Sequence, residues 1–192
     1  MAFPDDLLEL AHDLANLHRE SPHQASLRRA VSTAYYAIFH LLIFEATANW
    51  ARPELRAILD RCFDHGQMKA ASETKVSQIN TAFKDNPPES AEKTVAIHLR
   101  TVAKAFIQAQ NRRNDADYNM VKEWEPFEVD KQIGSVNEAF KTWSLIRDEA
   151  VAQAYLVSLL GRKERRPNEP KPPQAGTERR KKRSGPETPP AV

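Results

Sequence analysis

The sequence predicts an all-α fold, an up-and-down bundle of four to five helices followed by a disordered basic tail. Three observations predict it. Apolar residues recur at three- and four-residue spacing through most of residues 4–160, the pattern of helices with one buried face. No run alternates apolar and polar residues between turn signals, so no sheet is expected. Only five glycines occur in 192 residues, and long helices joined by short loops favour a bundle.

The first helix is predicted over Pro4–Glu20. Pro4 suits a first turn, and Asp5 and Asp6 complement the helix dipole. Leu7, Leu8, Ala11, Leu14, Ala15 and Leu17 form its apolar side, and "SPH" at 21–23 breaks it. The second helix, Gln24–Ala51, is the most apolar, with Val31, Ala34, Tyr35, Ile38, Phe39, Leu42 and Ile43 as its core stripe. Pro53 stops it, because the residue before proline avoids helical geometry. A short helix is predicted over Pro53–Phe63. Residues 64–88 carry little pattern: "SQINTAF" suggests a helical turn and "KDNPPES" a loop.

The fourth helix is predicted from Glu89 to Asn114 or beyond, with Val95, Leu99, Val102, Phe106 and Ala109 as its stripe. After the connection "EWEP", a single helix is predicted over Phe127–Leu160, with Val129, Ile133, Val136, Phe140, Trp143, Ile146 and Ala150 on one face. Gly161 closes this helical domain, residues 1–161.

Residues 162–192 hold seven of the thirteen prolines and ten Lys/Arg against four Glu, a net +6. The preceding 161 residues therefore carry −4 of the chain's +2. A segment so poor in apolar side chains cannot offset its ordering entropy, so disorder is expected. Its "RRKKRSGP" can attract phosphate backbones or simply solvate the chain. With one cysteine, Cys62, no intramolecular disulfide is available. Cys62 is expected to be a small buried or half-buried residue. No run of about 18 apolar residues suggests a membrane span, and "MAFPDDLLEL" carries acids where a secretory signal needs a positive region. A soluble cytoplasmic protein is expected.

Phosphate loops, metal-spaced Cys/His clusters and nucleophile elbows are absent from the sequence, so no metal or cofactor is expected. Two places remain. On the second helix Arg29, Thr33, Tyr36 and His40 fall at i, i+4, i+7 and i+11, a polar, aromatic face on an otherwise apolar element. It is expected to meet another helix, a second chain or a ligand. On the fourth helix the core stripe runs on into "RRNDADYN", where Arg113 and Asp117 are four apart. One reading is a helix-end salt bridge with Tyr118 plugging the loop. The other is an anion pocket with Arg113 as the phosphate fork, flanked by Arg112 and Asn114.

"LRRAVSTAYYAIFHLL", followed about 70 residues later by "RRNDADYN", resembles the HEPN domain family over roughly residues 5–160. "RCFDHG" between them is also similar to one branch of that family. The resemblance implies an all-α bundle, a homodimer, and a toxin–antitoxin or defence role, either as a metal-independent endoribonuclease or beside a nucleotidyltransferase partner. The family's catalytic signature is Arg, four to six residues, then His. Here Tyr118 stands where the shortest spacing would place His after Arg113, and Arg61 to His65 is one residue too short. The carry-over reaches Arg113 and stops before the histidine.

That departure has a chemical consequence. Histidine, with a pKa of about 6.5, can take and return a proton near neutrality. Tyrosine, at about 10, is protonated there and serves as a donor. A carboxylate paired with Arg113, such as Asp117, is weakly basic. His40 is the remaining candidate for an imidazole, and His65 merits attention for its neighbours. Three readings follow. The first is a non-catalytic or weakly catalytic protein that binds RNA, a nucleotide or a partner. The second is an endoribonuclease using Arg113 with Tyr118 or His40. The third is a purely structural bundle. Tyr118 is a conceivable acceptor for a nucleotidyl group in the family's partnered branch.

Overall fold

The computed structural model describes residues 2–85 and 90–161. Among them the fold is all-helical, with seven α-helices rather than four to five. They are α1 (Phe3–Asn16), α2 (Gln24–Ala48), α3 (Arg56–Asp60, preceded by a 3-10 turn at Pro53–Leu55), α4 (His65–Asp85), α5 (Ser90–Tyr118), α6 (Pro126–Ile146) and α7 (Ala150–Leu159). The expected disordered tail and the middle of "KDNPPES" lie outside the described residues.

The middle of the bundle is α2. It packs against α1, α5 and α6, while α4 lies between α5 and α7. Its predicted stripe is buried throughout, from Val31 to Ile43. By length and composition α2 could cross a membrane, yet 67% of its most apolar window is buried inside the bundle. The α5 stripe is likewise buried at Leu99, Val102, Phe106 and Ala109, with Val95 half-buried.

Three helices differ from the sequence expectation, and so does the burial of one residue. Helix α1 ends at Asn16, where the Asn16 side chain turns back to donate to the His12 carbonyl, so Leu17 is exposed. Residues 65–85, where the sequence shows little pattern beyond a helical turn at "SQINTAF", are a 21-residue helix that reaches the first two residues of "KDNPPES". Its apolar face is sparse: Met68, Ser72 and Ile79 are buried and Val76 and Phe83 only partly so, which leaves too weak a stripe to read in one dimension. Asp64 starts it by accepting from the Gln67 amide at 2.9 Å. The predicted last helix is two, broken at Arg147–Glu149. No glycine or proline marks the break. Arg147 reaches Glu45 on α2 at 3.1 Å, and Gln153 donates to the Arg147 carbonyl and accepts from Asn49. These ties let α7 turn back against α4. Cys62, expected to be at least half-buried, is exposed.

A polar pair ties α7 to α4. Ser72 Oγ donates its one proton to the Met68 carbonyl at 2.7 Å, so the Tyr155 hydroxyl, 2.8 Å away, donates to Ser72. Both side chains are fully buried. Ser72→Ala is expected to cost about 2 kcal/mol, because it orphans a buried hydroxyl. Tyr155→Phe removes donor and demand together and is expected to cost about 1 kcal/mol. Urea denaturation of both variants checks this asymmetry, and equal costs would refute the donor assignment.

Candidate functional site

The site is built by α2 and the C-terminal end of α5. Four residues of α2 at strict four-residue spacing, Gln24, Arg28, Ser32 and Tyr36, meet the chain from Arg113 to Trp124. Gln24 clamps the Trp124 backbone from both sides, donating to its carbonyl and accepting from its amide, each at 2.9 Å. Arg28 donates to the carbonyls of Ala116 (2.7 Å), Asn119 (3.0 Å), Met120 (3.4 Å) and Lys122 (2.6 Å). These include helix-end carbonyls that have no partner within the helix. Ser32 Oγ donates to Asp117 Oδ1 at 2.6 Å. The Tyr36 hydroxyl accepts from Arg113 Nη2 at 3.2 Å.

Arg113 and Asp117 form the expected pair. Arg113 Nε lies 2.7 Å from Asp117 Oδ2, an ion contact that is not aligned as a hydrogen bond. Both side chains are about one-fifth exposed. Asp117 thus has one oxygen toward Ser32 and the other toward Arg113, which fixes the guanidinium rather than leaving a free base. The guanidinium lies 5.8 Å from the Tyr36 ring centre and 5.4 Å from that of Tyr118. Its Nη1 also reaches Asn114 Oδ1 at 3.3 Å. Burial alone would depress the Arg113 pKa, but the Tyr36 hydrogen bond and the field of Tyr36, Asp117 and Tyr118 raise it overall, so the cation is secure.

Two imidazoles flank the same aromatic group. His65, the first residue of α4, stacks on Phe39 at 4.2 Å and 29° and shares a 2.5 Å hydrogen bond between its Nδ1 and the Tyr35 hydroxyl. His40 meets Phe39 and Phe3 edge-on, at 5.2 Å and 5.1 Å. The Tyr36 ring is 6.4 Å from each imidazole. Burial lowers the His40 pKa, with His65 adding to the effect and Asp60 opposing it. Burial and then Arg113 lower that of His65, with Asp64 opposing. Tyr35 is raised by burial, with Tyr36 and Asp64 adding and Arg113 opposing, and stays protonated.

A depressed histidine pKa means that the unfolded chain binds more protons as pH falls through about 6.5. The stabilisation is therefore full above that pH and is lost as pH falls toward the folded-state values. The urea midpoint is expected to drop between about pH 7 and pH 5. The drop should be smaller in a His40→Gln/His65→Gln double variant, and parallel profiles for the two proteins would refute the assignment.

Of the residues singled out from sequence, the structure brings together Tyr36, His40, Arg113, Asn114, Asp117 and Tyr118. Arg29 is exposed and takes no part in the cluster. Arg112 turns to α6, donating to the Glu128 carbonyl at 2.8 Å. Tyr118 does not plug the loop: it is 72% exposed, and the buried Trp124 fills that place, covered by Lys122 at 3.9 Å. Sequence reasoning missed Gln24, Arg28 and Ser32. Their signal is a polar row at four-residue spacing on the most apolar helix, which meets the Arg29, Thr33, Tyr36 and His40 row at Tyr36. Among the described residues no three His, Cys, Asp or Glu are grouped to share a metal. Searches against protein-family models, curated proteins and solved structures find no match to this chain.

Proposed function

We propose that the Arg113 end of α5 is an anion-binding site for the phosphates of RNA or a nucleotide, in a HEPN-like protein that is non-catalytic or only weakly catalytic. The observation that carries this reading is the guanidinium held by Asp117 and Tyr36 against the exposed ring of Tyr118. A pre-oriented fork beside an open aromatic face suits a phosphate and its attached base. The weak-catalysis part rests on Tyr118 standing where the family's nucleases have histidine, and on Asp117, whose two oxygens are already engaged by Ser32 and Arg113. A toxin–antitoxin or defence context, a cytoplasmic setting, a homodimer and a nucleotidyltransferase partner belong to the same proposal, and exposed Tyr118 is open to such a partner.

A second reading, a metal-independent endoribonuclease, draws on one observation: His40 and His65 both lie beside the Tyr36 ring that Arg113 covers. Imidazoles with lowered pKa are competent bases near neutrality. Purified protein incubated with mixed RNA in EDTA from pH 5 to 9 separates the readings. The binding reading expects RNA retained in a gel shift, lost in Arg113→Ala, with no cleavage. Cleavage abolished by Arg113→Ala would overturn it in favour of the nuclease. RNA and nucleotide binding untouched by Arg113→Ala would leave a structural bundle.

A further inference from the structure

We propose that His65 is a further ligand of this site, with Tyr35 placing its proton so that Arg113, Tyr36 and His65 together offer three donors to one phosphate oxyanion. The proposal rests on the anion-binding reading above. It starts from a donor count. The Tyr35 hydroxyl is buried and has one hydrogen, and His65 Nδ1 is its partner. A protonated phenol facing a neutral imidazole donates to it, so Nδ1 is the acceptor and the ring's own proton sits on Nε2. Nε2 has no protein partner among the described residues.

The ring is also held in place. Stacking on Phe39 sets its plane, and the bond to Tyr35 sets its rotation about that plane. Tyr36 supplies the second donor: its oxygen already accepts from Arg113 Nη2, so its hydrogen remains to be given outward. Arg113 supplies the third through its terminal N–H groups. The other two donors flank the Tyr36 ring, with Arg113 over it and His65 at its edge. Around His65 the charged groups are Arg113 on α5 and Asp64 before α4, with His40 on α2 a neutral neighbour. Lys69, one turn along α4, is engaged by Asn111 and Glu73.

The class of ligand is a tetrahedral phosphate, as a terminal monoester or an internal diester. A short RNA labelled with fluorescein at its 3′ end, with a 5′-phosphate or a 5′-hydroxyl, distinguishes the two by fluorescence anisotropy. His65→Phe keeps the stack on Phe39 and removes the donor, and it is expected to weaken binding about tenfold. His65→Gln, whose amide can stand in for Nε2–H, is expected to recover most of it. If the loss appears only with the 5′-phosphate, the site takes the monoester; if it appears with both, the diester. Tyr35→Phe is expected to weaken binding about threefold, and nitrogen NMR of the histidines should show His65 Nδ1 as a hydrogen-bonded acceptor in the wild type and as a free acceptor in this variant; a protonated Nδ1 in the wild type would overturn the tautomer assignment. Arg113→Ala separates the failures. If it loses binding while His65→Phe binds both RNAs like wild type, the His65 proposal is wrong and the anion site stands. If Arg113→Ala also binds like wild type, both fall.

Discussion

Arg28→Ala is expected to destabilise the protein by about 3 kcal/mol, mostly through two of the four carbonyls that this side chain serves. Ala116 is buried and Lys122 half-buried, and water cannot readily replace the guanidinium at their carbonyls. Asn119 and Met120 are exposed, so their carbonyls rehydrate at little cost. Arg28→Lys should recover only part of the loss, because one ammonium cannot span acceptors that the planar fork reaches with two nitrogens. Urea denaturation of both variants measures this, and a loss under about 1 kcal/mol for Arg28→Ala would show that the end of α5 is held mainly by Gln24 and Ser32. The same change should weaken RNA binding indirectly, since Arg28 anchors the turn of α5 that carries Asp117 and Tyr118.

Arg113→Ala is expected to lower affinity for a short RNA about 10- to 100-fold at low salt, the range for charge-assisted hydrogen bonds to a phosphate. Its stability cost should be small, about 1 kcal/mol, because Asp117 keeps its Ser32 donor and is about one-fifth exposed. A large binding loss beside a small stability loss is the mark of a site residue rather than a core tie. Arg113→Lys retains the charge but cannot lie against Asp117 through one nitrogen and Tyr36 through another, so it should bind between the two. Anisotropy titrations at 50 mM and 200 mM salt, with a thermal melt of each variant, test this prediction; these concentrations bracket the range over which phosphate contacts lose affinity. Unchanged affinity with a collapsed melting temperature would mean that the pair is structural only.

Much of the helical content was legible because burial leaves a periodic trace. The stripes of α2 and α5 named the core residues Val31 through Ile43 and Leu99 through Ala109. Where the trace is thin, it misleads. Helix α4 buries three residues in 21, so its sequence shows little more than the helical turn at "SQINTAF". The break before α7 has no glycine or proline, because Arg147, Gln153 and Glu45 make it from a distance. The candidate site was half legible. Arg113 and Asp117 were found because charge interrupts a core stripe. Ser32, Arg28 and Gln24 were not, because a serine, an arginine or a glutamine on a helix looks like ordinary surface until its partner is known.

By itself the sequence determined that the domain is helical, which faces of α2 and α5 are inside, and that Arg113 and Asp117 stand one turn apart. Those are local properties, set by spacing of 3.6 residues per turn and by the cost of exposing apolar surface. Only the tertiary structure decided that a row from Gln24 to Tyr36 grips the end of α5, and that His65, 48 residues before Arg113 in the chain, shares its aromatic surroundings. The physical reason is that hydrogen bonds and ring contacts between helices depend on which rows face each other once the helices pack, and a one-dimensional pattern carries no record of that pairing.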